Sequence, residues 1–575
     1  MTKNYIVTNG KVYTQNEEQP WAEAFAVRDG KFACIGTNEE VAAFAKEAGI
    51  SYGDAKPIDA GGKFIMPALI DSHTHVGLSV MLSGDDEEDD SFPMYDCQSK
   101  AEVLQKLKDM VKAHPFRPYY AMFFGKLEGL QGEKLTRDDL DKIVRFRPVI
   151  LMEEECHCVW LNSGALKIMR IKEDVEDIAP GYSYYERDEN GRLTGHMTEM
   201  TMMPILKMSG DVSKKEMRKG VLKIMNYLVE HGVTTIYDAG NYFKEDWTYS
   251  IFHELDKNGE LPVRVEGTHV ICHPDMVDGA VEEFKKLKAK YETENIRFKT
   301  MKMMLDGTQR IHTACMTQPY NDTGTCGGTL IPKERLKSFL AELNEEGIDF
   351  HVHTVGGGAV RMVQDIVEEL KARPEGFNII VTCAHNELVD EVDLKRFATL
   401  GVVANFTPSW NGGACEAKLP ERIRLIGEPR VYQTLRTRTV WDTGALVTFS
   451  SDEVETNKLR NWNPFMGMEI AMTRQEPILI SDDLDPEDDR NFSGRNAEVF
   501  PAADEIMTLT EMLQGYTINN AKANRLDDRL GTIEKGKEAD FIVLADNPFE
   551  TDVYELHNMV VDATVRKGEV INGKL

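Results

Sequence analysis

Two histidines one residue apart, in Asp71-Ser72-His73-Thr74-His75, come directly after the apolar run Phe64-Ile65-Met66-Pro67-Ala68-Leu69-Ile70. In an extended strand the side chains alternate faces, so both imidazoles project the same way, about 7 Å apart along the backbone. Neutral imidazole is a common ligand for divalent metals, and two on one strand face make one edge of a metal site. With Gly77 just beyond, the pair belongs at the C-terminal mouth of a strand, where a (β/α)8 barrel keeps its chemistry. In a chain with 14 His in 575 residues chance alone yields about 0.3 His-x-His triplets, so the pair gains its weight from companions further down the chain.

Four later segments carry metal-competent residues at the ends of apolar runs. Lys302 lies within 298–305 and is followed by Asp306-Gly307; His351 and His353 end the next run; His385 and Asp452 close two later ones. Each alone fits an ordinary surface lysine, strand-end histidine or turn aspartate. Together they fall at the same end of successive strands, in the order that one barrel mouth requires.

Positioning those residues takes eight strands, expected at 64–71, 234–238, 263–267, 298–305, 350–353, 379–383, 402–406 and 446–450. They alternate with helical segments, which predicts an α/β fold, a (β/α)8 TIM barrel. The gap of about 160 residues between the first two strands exceeds any crossover helix and predicts an inserted α+β subdomain over 95–210. Both ends of the chain read as short strands. Asn9-Gly10 and Asp29-Gly30 between alternating apolar residues are hairpin signals. Since neither end could bury a core alone, a small β-sandwich formed by both termini is expected. The predicted organisation is sandwich 1–63, barrel 64–94, insert 95–210, barrel 211–525 and sandwich 526–575.

The formal charge of −29, from 67 Lys+Arg against 96 Asp+Glu, argues against nucleic acid or an anionic membrane as partner and favours a small-molecule substrate. No apolar stretch approaches a membrane span or a signal-peptide core, and nine scattered cysteines fit a reducing compartment, so a cytoplasmic location is expected. A homo-oligomer is left open. Cys156-His157-Cys158 lacks a second pair to complete a zinc site, and Gly356-Gly357-Gly358 lacks the Lys-Ser/Thr of a phosphate loop. The acidic runs 85–90 and 482–489 read as solvated loops, although the first comes soon enough after His75 to lie near the mouth and disfavour anionic substrates.

Further motifs run through nearly the whole chain: Ala24-Phe25-Ala26-Val27-Arg28-Asp29-Gly30-Lys31, Trp160-Leu161-Asn162-Ser163-Gly164-Ala165-Leu166, His231-Gly232-Val233-Thr234-Thr235, Tyr516-Thr517-Ile518-Asn519-Asn520-Ala521 and the stretch 531–544. With the metal-type residues, they make the chain resemble the amidohydrolase superfamily of metal-dependent (β/α)8 barrels. The resemblance is closer to its family 3 branch, which includes N-substituted formamide deformylases. It implies a binuclear centre with one or two Zn: His73 and His75 on the more buried metal with Asp452, and His353 and His385 on the second. Lys302 would bridge both as a carbamate formed with CO2. A lysine with its pKa near ~10.4 cannot ligate a metal, whereas its carbamate is an anionic oxygen donor.

The implied reaction is hydrolysis of a C–N bond in an amide or N-formyl substrate by metal-activated hydroxide, with Asp452 taking the water's proton and passing it to the leaving nitrogen. His351, on the same strand face as His353, is expected to support a ligand. His157 matches a family histidine that could reach over the mouth toward substrate, and Asp306, Trp410 and Trp462 are expected beside it. The chain departs from the family at Glu155-Cys156, where Asp-Gly is common, at Gly356-Gly357, where Gly-Asp is common, and at His312, where arginine is usual. One alternative is a mononuclear deaminase of a small heterocycle. Such enzymes typically carry glutamate at the position of Gly356 and lack the lysine. The other is a non-catalytic metal-binding barrel, which would normally have lost ligands that this chain keeps.

Overall fold

Eight parallel strands run in chain order through the computed structural model: β1 (Leu69–Thr74), β2 (Val233–Asp238), β3 (Arg264–Gly267), β4 (Thr300–Met304), β5 (Asp349–Thr354), β6 (Val381–His385), β7 (Val403–Phe406) and β8 (Val447–Phe449). The structure describes residues 4–47, 57–83, 94, 97–125, 127, 130, 133–153, 156–202, 204–205, 212–242, 244–412, 419–454, 456, 459–475, 495, 497, 499–500 and 503–575. The acidic runs 85–90 and 482–489 lie outside these residues.

One sheet holds β1, β2 and β3 and ends on the short strand Ile296–Phe298; the other begins at Val270–Ile271 and continues through β4 to β8. All neighbouring pairs are parallel, so the C-terminal ends of the eight strands share one side. Between β8 and β1 the link is made by individual hydrogen bonds. The Ser72 hydroxyl donates to the Phe449 carbonyl (3.0 Å) and the Asp452 amide to the His73 carbonyl (3.0 Å).

β1, β2, β4, β5 and β6 are buried along their whole length, as expected of parallel strands covered on both faces. Helices pack outside them. The helix Lys214–Glu230 buries Met217, Val221, Ile224 and Leu228 at helical spacing. It starts in a capping box: the Glu216 amide donates to the Ser213 hydroxyl (3.2 Å) and the Ser213 amide to the Glu216 carboxylate (2.7 Å).

The single strand expected over 64–71 is two. Phe64–Pro67 pairs antiparallel with Phe541–Leu544 in a different sheet, and β1 begins at Leu69. The break falls at Ala68, whose amide donates to the Asp540 carbonyl (3.2 Å). That second sheet has six strands, three from each end of the chain: Lys11–Tyr13, Trp21–Ala22 and Phe64–Pro67 with Phe541–Leu544, Val561–Arg566 and Glu569–Gly573. A four-stranded sheet of Tyr5–Thr8, Ala24–Arg28, Lys31–Gly36 and Ile58–Asp59 shares an apolar cluster with it, including Val7, Phe25, Phe32, Ile65, Phe541 and Val565.

Ala24–Arg28 and Lys31–Gly36 do form a hairpin, with both Asp29 (φ +53°) and Gly30 (φ +75°) in the left-handed conformation that a type I′ turn requires. Asn9-Gly10 does not: only Asn9 has positive φ, and the flanking strands enter different sheets. Within 95–210 a five-stranded sheet runs Tyr185–Arg187, Leu193–Thr198, Cys158–Leu161, Val149–Glu153, Tyr120–Gly125 in spatial order.

A buried ion network ties the N-terminal side of the parallel strands to the six-stranded sheet. Arg264 of β3 pairs with Asp540 and Glu538, and Thr234 of β2 donates to Asp540 (3.1 Å). Burial would raise the Asp540 carboxyl, but the Arg264 guanidinium outweighs it and holds the group below the ordinary carboxylate value. Among the described residues no helix is long and apolar enough to cross a membrane.

Candidate metal centre

The C-terminal ends of β1, β4, β5, β6 and β8 bring His73, Lys302, His351, His353, His385 and Asp452 together. His75 Nδ1 donates to the Gly240 carbonyl (3.0 Å), which leaves its Nε2 3.5 Å from Asp452 Oδ1. His73 Nδ1 meets His351 Nε2 at 3.0 Å, and its own Nε2 lies 3.4 Å from the same carboxylate oxygen. Each imidazole is thus held at one nitrogen and offers the other inward, the arrangement by which outer partners orient metal-ligating histidines. His351 in turn lies stacked on Tyr237 (4.8 Å between ring centroids), so the support reaches into the strand interior.

His385 completes the cluster from β6. Its Nδ1 is 3.4 Å from Asp452 Oδ2, and its ring sits 4.4 Å from that of His353 and 5.0 Å from that of His73. Both ring nitrogens are buried and neither has a hydrogen-bond partner. One ligand atom from each of His73, His385 and Asp452 lies within 4.8 Å of the others. Lys302 Nζ, fully buried, is 3.4 Å from His73 Nε2.

Burial, reinforced by the Lys302 ammonium, holds His75 down to about 3 and His73, His351 and His353 well below the ordinary imidazole value. Burial also lowers His385, with His353 as its next strongest influence. Neutral rings with a free lone pair are the ligating form. Burial lowers the Lys302 ammonium and raises the Asp452 carboxyl, while their mutual attraction opposes both shifts. The donor set of imidazole nitrogens and carboxylate oxygen, with two orphaned nitrogens in its midst, fits a divalent metal.

Two turns carry these groups in conformations costly for residues other than glycine. His385 (φ +78°), Asn386 (φ +48°) and Asp452 (φ +47°) are all left-handed. The second turn is pinned where the Ser451 amide donates to the Asp71 carboxylate (3.1 Å), and the first where Asn386 Nδ2 donates to the Cys383 (2.8 Å) and Asn405 (3.0 Å) carbonyls.

The expected substrate contacts divide. His157 lies beside the centre, its ring 5.7 Å from that of His353 and its side chain 19% exposed. Trp410 stacks on His385 at 5.1 Å and 17°. Asp306 does not line the mouth. It is fully buried and accepts from His353 Nδ1 (3.1 Å) and from the amides of Cys315 (3.0 Å), Val355 (3.0 Å) and Gly356 (2.9 Å), so it positions His353 and the loop after β5. Trp462 is also displaced from its expected role: it is wholly buried in the main apolar core with Phe465 and Met468.

Glu199 is a member of the site that no sequence motif announces. It is 1% exposed and left-handed (φ +48°). His157 Nδ1 meets its Oε2 at 2.8 Å and the Thr313 hydroxyl donates to its Oε1 at 2.7 Å. Its amide donates to the His157 carbonyl (2.7 Å). Gly307 leaves room for it: a Cβ there would come within 2.0 Å of Glu199 Oε1. No spacing rule joins Glu199 to His157, and only the fold brings them into contact.

The parallel α/β architecture, with its metal-competent residues at one strand end, is of the metal-dependent amidohydrolase, TIM-barrel type. From residue 56 to 572 the chain matches the model of the amidohydrolase family, and it belongs to that family. It is 26% identical over 413 residues to the exoenzymes regulatory protein AepA of Pectobacterium carotovorum subsp. carotovorum, covering 70% of this chain and 85% of the relative. It is 24% identical over 591 residues to the N-substituted formamide deformylase of Arthrobacter pascens, covering 98% of each. The structure of an uncharacterized metal-dependent hydrolase from Pyrococcus horikoshii OT3 superposes with a TM-score of 0.66 at 20% identity, covering 96% of this chain and 99% of the other.

Proposed function

We propose that the chain hydrolyses the C–N bond of an amide or N-formyl compound at this centre. The observation that carries the reading is the convergence of His73 Nε2 and His75 Nε2 on one oxygen of Asp452, with the unpartnered ring of His385 beside its other oxygen. In this reading His73, His75 and Asp452 would hold one zinc, His353 and His385 the second, and Lys302, as a carbamate, would supply a further anionic oxygen donor. Burial favours the neutral amine of Lys302, the form whose nitrogen bonds to CO2 with loss of a proton. A bound divalent metal supplies Lewis acidity toward a carbonyl oxygen and makes water easier to deprotonate.

Asp452 takes the proton. Burial raises its carboxyl toward neutrality, so it accepts a proton from water and returns it to the departing nitrogen within the same pH range. His157, held at Nδ1 by Glu199, presents Nε2 to the substrate, and Trp410 forms an apolar wall beside His385. The name of the Arthrobacter pascens relative supports an N-formyl group among the candidate substrates.

The same reading takes the eight strands as a closed (β/α)8 barrel, the terminal sheets as a β-sandwich and 95–210 as an inserted subdomain. It takes the compartment as the cytoplasm. Heterocycle deamination with a glutamate at 356 is disfavoured by space: a Cβ on Gly356 would lie 2.1 Å from the Cys315 carbonyl oxygen.

The test is metal content by elemental analysis, together with hydrolysis of a panel of N-formyl amines and simple amides. Close to two metals per chain, and a loss of at least about a hundredfold in rate for Asp452→Asn, are expected. Protein that takes up no metal on reconstitution, or Asp452→Asn at undiminished rate, would sink the proposal.

A further inference from the structure

Two turns at the edge of the five-stranded sheet repeat one sequence, Phe116-Arg117-Pro118 and Phe146-Arg147-Pro148. They carry the two most exposed large apolar side chains among the described residues, Phe116 at 95% and Phe146 at 86%, with Tyr119 also exposed. Arg147 locks the turns together. Its guanidinium donates to the carbonyls of Pro115 (2.7 Å) and Arg117 (3.1 Å) and lies 4.9 Å above the ring of Tyr120. The second turn is fixed from below, where Asn162 Nδ2 donates to the Arg147 carbonyl (2.8 Å). The rings therefore stand on a rigid base, which lowers the ordering cost of binding through them.

Segments 110–119 and 142–148 hold Lys112, Arg117, Lys142, Arg145 and Arg147 and no acidic residue, in a chain of formal charge −29. Lys142 pairs with Asp139 (3.1 Å) and Arg147 serves the turns, but Lys112 and Arg145 stand exposed in the same two segments. An exposed aromatic cluster of this kind marks an interaction site, and its cations select an acidic occupant.

We infer that this tip is an interface for a second copy of the chain, docked against an acidic face of its neighbour. Each copy carries both halves of the match: a basic aromatic tip, and a chain in which 96 Asp+Glu outnumber 67 Lys+Arg. Tip-to-tip pairing about a two-fold axis would set cations against cations, so the contact is head-to-tail. Such pairing does not depend on the proposed chemistry.

The experiment is sedimentation velocity on the full chain over a range of concentrations, with wild type, Phe116→Ser/Phe146→Ser, Lys112→Glu/Arg145→Glu and the charge-conserving Lys112→Arg/Arg145→Lys. The wild type and the conservative pair should self-associate, and each of the other two pairs should weaken association at least about tenfold. A monomeric wild type, or association indifferent to all these substitutions, would overturn the inference. So would a monomer that co-sediments with phosphatidylserine vesicles through the same residues, since the acidic occupant would then be lipid.

Discussion

His385 bears two costs: two buried nitrogens without a hydrogen bond, at about 1–3 kcal/mol each, and a left-handed backbone. Metal ligation would offset both. Chelation is therefore expected to lower the melting temperature of the wild type. His385→Asn, whose side chain tolerates the left-handed conformation, should bind less metal yet melt no lower than metal-free wild type; thermal scans with and without chelator check both. Glu199→Gln should leave metal content unchanged and reduce hydrolysis about 10–100-fold, since it weakens the group that orients His157. The ligand-type residues are legible in the sequence because strand period and strand ends reveal them. Glu199 is not, because its contact with His157 exists only after the chain has folded. Asp306 departs from expectation for a related reason. Its place at the end of β4 is as expected, but no sequence pattern reveals that three loop amides turn its oxygens inward.

Among the elements, the loop after β4 leaves little space at Gly307. A Cβ on Gly307 would meet Glu199 Oε1 at 2.0 Å and the Thr313 hydroxyl at 2.1 Å, so Gly307→Ala should cost about 1–3 kcal/mol in denaturant melts and reduce hydrolysis with it. The helix Pro464–Thr473 is apolar nearly all round and receives the turn Val553–Asn558, where His557 Nδ1 meets the buried Glu469 carboxylate at 2.7 Å. The hydrogen bond to Glu469 raises the His557 imidazole above its ordinary 6.5. Its contribution is then fully present below about pH 6.5 and lost as pH rises through the raised folded value. Melting temperatures of wild type and His557→Gln should therefore converge as the buffer is taken from about pH 6 to about pH 9. Trp462 precedes this helix and is buried with it, which an aromatic residue shortly after a strand does not reveal. Likewise 64–71 is one apolar run to the eye, and only the Asp540 carbonyl that receives the Ala68 amide divides it into two strands.

On the scale of the molecule, the buried Arg264–Asp540–Glu538 network contributes to acid stability through Asp540. Asp540→Asn leaves Arg264 partly unpaired and should cost about 3–5 kcal/mol at neutral pH. Because the Asp540 carboxyl is held below its ordinary value, its contribution is present above about pH 3.9 and lost as pH falls through the folded value, so the variant's melts should be flatter in acid. Strand order is legible in the sequence because each strand is a local pattern, and the pairing of the chain's two ends because neither could bury a core alone, whereas the summed charge conceals a local basic tip. The shared six-stranded sheet also bears on synthesis. Phe64–Pro67, immediately before the histidine strand, has Phe541–Leu544 as its antiparallel neighbour. While the ribosome is still making the middle of the chain, that partner does not exist, and the first two histidines emerge without the sheet that anchors their strand. A nascent chain must therefore guard a half-built centre until residues 541–544 have emerged.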